Sequence, residues 1–444
     1  LLKESEVREI HKTCYTLIQN NELEQAIGLL QTLLEHDPND AIALNFTGLI
    51  HLETRNFHLA YQYLRRALQE KVNVAPIWCN FGLAAHELLR NEEAKAAYMK
   101  AIEVDPKYIK AYVNLAAVLI EEAKWDEAEK ACEMAREIDP KSDMPLKNLA
   151  HTCLAKHDWK RGWQYWDLTL GDQYRQEWVY GDEPRWDGSP GKAVVIYGEQ
   201  GLGDEINYAS VIPDAIRDSK KVIIDCDPRL EKLFKRSFPQ AIVHGTRKKQ
   251  HPAWLETAKI EARCAMSSLP RFYRNSDEEF PGTPYLKADP ELVRMWKGLF
   301  QSYGRPVYGL CLHGGSKITG ETWRKIEPED FSPLLSLNAD FVSLDYKGRV
   351  NNPRIKEFPW ATQGQDYDLI AALIAALDGV VGVNTTAIHC ANGLGVPAHI
   401  LVPIKKQWRY EPAKDGSYVW AKSAKLYQQQ PGQSWRDLIK TVCL

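Results

Sequence analysis

The 444 residues hold no run of about 18 apolar residues, so no membrane-spanning helix is expected. The opening stretch LLKESEVREI carries charges where a secretory segment must be apolar, and no signal peptide is expected there. The nine cysteines are scattered and contain no C-x-x-C pair, which argues against a zinc knuckle or a redox dithiol. They read as reduced core residues in a cytoplasmic setting. Charge of one sign is not in excess: 56 Lys+Arg face 59 Asp+Glu, a net of -3, too balanced for a chain whose main task is gripping nucleic acid. The balance is uneven, however. Residues 1–176 carry 21 basic against 27 acidic side chains, so 35 against 32 remain beyond them, and an anionic ligand belongs to the second part. At 44% apolar and 26% charged, the chain is of ordinary globular composition, and its length suits two to four domains.

A 34-residue self-similarity fills the first part, with units opening at Val7, Ala41, Ala75, Ile109 and Asp143. The twentieth place is always small (Ala26, Ala60, Ala94, Ala128, Gly162), as is the eighth (Cys14, Gly48, Gly82, Ala116, Ala150). Two antiparallel helices approach closely at such places. Pro38, Pro106 and Pro140 stop three of the second helices. The pattern resembles the tetratricopeptide repeat, which implies an all-α superhelix over 1–176 with a concave binding groove. Asn80, Asn114 and Asn148 share the sixth place of successive units. They resemble the asparagine ladder in the repeats of eukaryotic O-linked N-acetylglucosamine transferases, which implies an acceptor peptide held by its backbone. The plainer alternative, a repeat-typical asparagine, stays open. The fifth unit decays into the aromatic stretch DWKRGWQYWDLTL, as a capping repeat docked on another body would.

Beyond Lys192 the periodicity changes to short β-branched runs alternating with helical segments, the mark of parallel α/β units. Strands are expected at 193–199, 221–227, 241–245, 307–314, 340–346, 379–384 and 398–403. A break near 304–306 divides the region into halves 177–305 and 306–444, each sized for a Rossmann-like sheet, with a ligand cleft at the carboxyl ends of their strands.

Three motifs carry chemistry. Gly198-Glu199-Gln200-Gly201-Leu202-Gly203-Asp204 joins a strand to a helix; its spacing matches neither the dinucleotide fingerprint nor the phosphate loop, which argues against a dehydrogenase or a kinase. Asn384-Thr385-Thr386 runs from a strand into a helix whose free N–H groups suit a phosphate. Gly314-Gly315-Ser316-Lys317, followed by Trp323-Arg324-Lys325, sets glycines and cations after another strand, where they can neutralise a diphosphate without a metal. The triplets Asp225-Cys226-Asp227 and Asp366-Tyr367-Asp368 are read as chance, so no metal is expected. Arg247-Lys248-Lys249-Gln250-His251 reads as a solvated loop. Trp408-Arg409-Tyr410 suits either stacking on a base or a domain-closing contact.

Together these segments resemble bacterial and phage proteins that join tetratricopeptide repeats to a glycosyltransferase domain. That domain is similar to the heptosyltransferases and, more distantly, to the O-linked N-acetylglucosamine transferases. The resemblance implies a glycosyltransferase-B fold, two Rossmann-like halves facing across a cleft. It also implies an inverting, metal-independent transfer from a nucleotide-sugar donor, bound by the carboxyl half, to an acceptor on the amino side, expected to be a protein hydroxyl. Asp204 is then the general base. His313, Gly314, Lys317, Arg324, Asn384, Thr385, Thr386 and His389 bind the donor, with Gln200 and the three asparagines on the acceptor side. Asn384 departs from the family's usual aspartate. A glycan or nucleic-acid acceptor, and a catalytically silent scaffold, stand as alternatives.

Overall fold

The computed structural model describes residues 2–70, 73–172, 175–247, 252–315, 323–347, 349–364 and 366–444. Two compact units result, Leu1–Thr152 and Cys153–Leu444. No helix among the described residues is long and apolar enough to cross a membrane.

The first unit is all-helical: α1 (Glu4–Gln19), α2 (Leu23–His36), α3 (Ala41–Glu53), α4 (Phe57–Gln69), α5 (Ala75–Glu87), α6 (Asn91–Val104), α7 (Ile109–Glu121) and α8 (Trp125–Ile138). They form successive pairs of a repeat superhelix; the chain goes on through α9 (Leu146–Ala155) to α10 (Trp159–Leu168), which belongs to the second unit. The small residues sit where helices touch. Ala26, Ala60, Ala94 and Ala128 are wholly buried, and a Cβ on Gly82 would fall 2.6 Å from the Tyr98 ring. The turn inside each pair uses a left-handed residue at the same step: Asn21, Arg55, Leu89, Ala123 and His157, with φ of 61°, 59°, 63°, 56° and 58°. None is glycine, so each turn holds backbone strain of order 1 kcal/mol that the stacked helices over-determine.

The second unit carries two parallel sheets. The first has β1 (Ala193–Tyr197), β2 (Lys221–Asp225), β3 (Ile242–His244) and β4 (Ala262–Ala265), in the order β3-β2-β1-β4. Helices α11 (Leu202–Tyr208), α12 (Ile212–Asp218), α13 (Glu231–Ser237) and α14 (Pro270–Tyr273) connect and follow these strands. After α15 (Pro290–Gln301) comes the second sheet: β5 (Val307–Cys311), α16 (Ser332–Leu335), β6 (Asp340–Ser343), β7 (Ile355–Lys356), α17 (Pro359–Thr362), α18 (Tyr367–Ala375), β8 (Gly379–Val383), α19 (Thr386–Leu394), β9 (Ala398–Val402), β10 (Ala424–Gln428) and α20 (Trp435–Ile439). Its order is β10-β9-β8-β5-β6-β7. All seven expected strands form. β4, β7 and β10 are additional, and they are short edge or flanking strands without a long β-branched run.

Two boundaries differ from the sequence expectation. The second unit starts at Cys153 rather than after 176, because α10 packs into it. Trp163 is 1% exposed, and its Nε1 donates to the Arg274 carbonyl at 2.6 Å. The passage between the two sheets is not at 304–306 either. The α15 residue Trp296 stacks on Trp360 at 5.0 Å and lies edge-on to Phe358 at 4.9 Å, which ties α15 to the second sheet. The chain crosses instead along 281–289, where the Tyr285 and Leu286 amides both donate to the Gly393 carbonyl at 2.9 Å.

Candidate functional site

Strand order locates the site. In the first sheet the chain turns back between β1 and β4, and in the second between β5 and β8. Crevices open at the carboxyl ends of strands at such switch points. The loops leaving β1, β5 and β8 carry the three motifs, and described residues of each line one cavity of about 370 Å³. Asp204, His313, Gly314, Arg324, Asn384, Thr385, Thr386 and His389 all lie on its wall. An adjoining cavity of about 300 Å³ shares His313, Tyr346, Thr385 and Thr386 and extends toward Leu344, Tyr367 and Ile370. Lys317 lies outside the described residues. Gln200 is not on the wall: its amide donates to the Ser267 hydroxyl at 3.1 Å, inside the first half.

Glycines set the spacing of the walls. A Cβ on Gly203 would meet Thr386 Oγ1 at 3.2 Å and His389 Cδ2 at 3.3 Å, so a bare backbone lets the starts of α11 and α19 approach. Gly315 has φ of 81° and lies against the Arg324 guanidinium, a place that a side chain would occupy. Arg324 is 9% exposed; its Nη1 donates to the Asn384 carbonyl at 3.3 Å. Burial pulls its pKa below the usual value, yet a guanidinium stays charged.

Asp204 stands in the first turn of α11, its side chain 30% exposed. Its Oδ1 accepts from Arg409 Nη1 at 2.7 Å. On the same cavity Thr385 caps α19, its Oγ1 accepting the Ile388 N–H at 3.4 Å. The remaining N–H groups of that first turn and the positive dipole end suit an anion. His313 is anchored by Asp345, which accepts its backbone N–H at 3.1 Å and lies 3.2 Å from its Nδ1. The residue lines the cavity.

Two buried groups on the wall hold unused polar atoms. Asn384 is 3% exposed and gives Nδ2 to Gln407 Oε1 at 3.3 Å, while its Oδ1 has no partner among the described residues. His389 meets the Tyr410 hydroxyl at 3.2 Å through Nε2, and its Nδ1 has no partner among the described residues. Such atoms are costly unless a ligand or water completes them.

Burial first, then Arg409, pulls the His389 pKa down to about 3, with Asp204 opposing. The folded protein therefore keeps this imidazole neutral, while the unfolded chain takes up a proton below about 6.5. The unfolded state binds more protons in the window from 6.5 down to 3, so stability falls there as pH falls. His389→Gln is expected to spare roughly 2 kcal/mol of the stability that the parent loses between pH 7.5 and 5, measured as the difference in urea midpoints. Equal acid sensitivity of the two proteins would contradict this.

Behind the glycine turn lies a buried ionic layer. Glu205 pairs with Arg247 and accepts the Asp227 N–H at 2.9 Å, and Arg247 reaches Asp227 at 3.0 Å. Burial pushes the Glu205 carboxyl up to about 8, against the pull of Arg247. Arg247 is thus not part of a solvated loop; residues 248–251 lie outside the described set. The two acidic triplets are also spent on structure. Asp225 accepts from Tyr180 and Thr246, each at 2.7 Å, Asp366 caps α18, and Asp368 pairs with Arg236 at 2.7 Å.

In the repeats, each asparagine of the sixth place donates to the fifth-place residue of the preceding unit: Asn80 to Asn45 Oδ1 at 2.9 Å, Asn114 to Cys79 Sγ at 3.4 Å and Asn148 to the Val113 carbonyl at 2.9 Å. One N–H of each amide therefore stitches units together. The row is a structural ladder before it is a binding one.

The sequence offers Arg409 only within a turn that stacks on a base or closes the domains, and its pairing with Asp204 is not foreseen. The only signal for it was an arginine between two aromatics after a strand. Trp408, at the start of the same turn, lies edge-on to Trp163 and Trp166 of α10 at 5.7 and 6.1 Å, and Tyr410 stacks on Tyr418 at 5.8 Å. This turn is therefore clamped on both sides of Arg409.

Among known proteins, FlbA of Caulobacter vibrioides is 26% identical over 450 aligned positions, covering 91% of this chain and 72% of that protein. PilF of Pseudomonas aeruginosa is 19% identical, covering 53% of this chain and 93% of its own, with a TM-score of 0.37. YrrB, described as a TPR protein with an unusual peptide-binding site, is 21% identical, covering 37% of this chain and 84% of its own, with a TM-score of 0.31. Residues 15–73 and 85–150 match models of the tetratricopeptide repeat, so the amino-terminal part of the chain is a tetratricopeptide-repeat array.

Proposed function

We propose that the second unit is a glycosyltransferase of the B fold, moving a sugar from a nucleotide-sugar donor to an acceptor hydroxyl. The observation that carries the reading is a carboxylate, Asp204, lining the same cavity as the α19 amino terminus and the buried Arg324. In this reading the donor's phosphate rests on the first-turn N–H groups of α19 and on Arg324, and the nucleoside extends into the adjoining cavity. The acceptor hydroxyl gives its proton to Asp204, and its oxygen attacks the anomeric carbon. The bond from that carbon to the phosphate oxygen breaks, and the electron pair leaves on the phosphate, where buried donors stabilise it. Asn384 Oδ1 and His389 Nδ1, unpartnered among the described residues, suit the hydroxyls of a sugar. Direct attack inverts the anomeric centre. The repeats are proposed to select a protein acceptor, by surfaces beyond the amide row alone.

The test is incubation with a panel of nucleotide sugars and candidate acceptors in chelator, reading nucleoside phosphate release. Acceptor-dependent release with at least one donor is expected. No release with any donor would contradict the reading and favour a silent scaffold; saccharide or nucleic-acid products would replace the protein acceptor.

A further inference from the structure

The position of Arg409 raises a separate question, since a general base tied to a buried cation is an unusual arrangement. Arg409 is 7% exposed. Its Nη1 bonds Asp204 Oδ1 at 2.7 Å, and its Nη2 lies 3.2 Å from the Tyr208 hydroxyl. The guanidinium stands 5.3 Å from the ring centres of both Tyr208 and Trp408, and its Nε has no hydrogen-bond partner among the described residues. Asp204 Oδ2 accepts no hydrogen bond among them. Both residues line the same cavity as Arg324 and the start of α19.

We propose that Arg409 is a positioning residue that works with Asp204 as a charge switch, an inference that rests on the glycosyltransferase reading. Before transfer, the guanidinium holds Oδ1 and leaves Oδ2 facing the acceptor hydroxyl, and the two charges cancel. When Asp204 takes the acceptor proton its charge is lost, and the Arg409 charge is uncovered on the cavity wall. In the same step the leaving phosphate gains a negative charge. Proton transfer and stabilisation of the leaving group are thereby coupled through one ion pair, and no ion has to enter. The aromatic clamp on Trp408 and Tyr410 prevents the guanidinium from following the carboxylate away.

Asp204→Asn mimics the switched state, because it removes the carboxylate charge without removing the side chain. Binding is measured by calorimetry in chelator, with UDP, GDP, ADP, CDP and CMP as probes, on the full chain. A unit charge at roughly 10 Å in an effective dielectric of about 20 alters an anion's affinity by roughly tenfold. Asp204→Asn is therefore expected to bind the preferred nucleotide about tenfold more tightly than the parent. Arg409→Gln should bind it correspondingly more weakly, and the double variant should return to near the parent affinity. Arg409→Lys keeps the charge and should fall close to the parent in binding but not in turnover, since it lacks the fork that orients Oδ1. Unchanged affinity in Asp204→Asn would overturn the switch while leaving the transferase reading intact. Failure of every probe to bind any variant would remove that reading, and the switch with it. Asp204 is partly exposed at a helix start, so this variant decides the matter even if the buried Arg409 substitutions fold poorly.

Discussion

Asp204→Ala is expected to lower sugar transfer by about 10²- to 10⁴-fold, the usual worth of a positioned base, while nucleoside phosphate binding is not weakened and, with the carboxylate charge gone, tightens. The reason is geometric. Asp204 lines the same cavity as the α19 amino terminus, and its loss removes the proton acceptor without removing Arg324, Thr385 or Thr386. It caps nothing and is 30% exposed, but its loss leaves the buried Arg409 guanidinium without its carboxylate partner, so the fold should lose roughly 3 kcal/mol. Single-turnover transfer rates and nucleotide affinity, measured on one preparation, separate the two effects. Unchanged transfer would remove Asp204 as the base; equal loss of binding and transfer would make it a donor ligand instead.

The second large effect concerns α10. A fragment starting at residue 177 is expected not to melt cooperatively, whereas one starting at 153 should. Trp159, Trp163 and Trp166 are 2%, 1% and 7% exposed, and their indole N–H groups donate to Asp277, the Arg274 carbonyl and Ser267 at 2.7, 2.6 and 3.1 Å. Each buries roughly 150–250 Å², about 4–6 kcal/mol by area. The three together rival the whole stability of a domain. Removing α10 also bares Trp408, and with it the clamp that aims Arg409. In the full chain, Trp163→Ala alone should cost about 3–5 kcal/mol, read from denaturant midpoints. Equal melting of the two fragments would show that α10 is dispensable to the second unit.

The repeats were open to reading because a strict 34-residue period ties small residues to helix contacts, and proline to helix ends. The buried strands were equally plain in their β-branched runs, and the glycine turn and the Asn384-Thr385-Thr386 turn converge as their places after β1 and β8 require. What could not be read was whatever depends on a distant partner. Nothing near Arg409 in the chain points to Asp204, 205 positions earlier. Nothing near Arg247 points to its burial against Glu205, so it read as surface. The left-handed turns at Arg55, Leu89 and Ala123 are invisible for another reason: residue types without a preference for that conformation adopt it only because the stacked helices impose it. The asparagine row shows a third limit, since the period places the amides in line but not the partner each one finds.

A melting series with nucleoside phosphates in chelator, run on the parent and on Arg324→Met, bears most directly on the cavity's role. A ligand that binds only the folded state adds about 2.7 kcal/mol at a hundredfold excess over its Kd. At least one nucleotide should therefore raise the Tm of the parent by several degrees, with most of that rise lost in Arg324→Met. If none of them moves the parent at millimolar concentration, the cavity does not hold a nucleotide and the transferase reading is wrong.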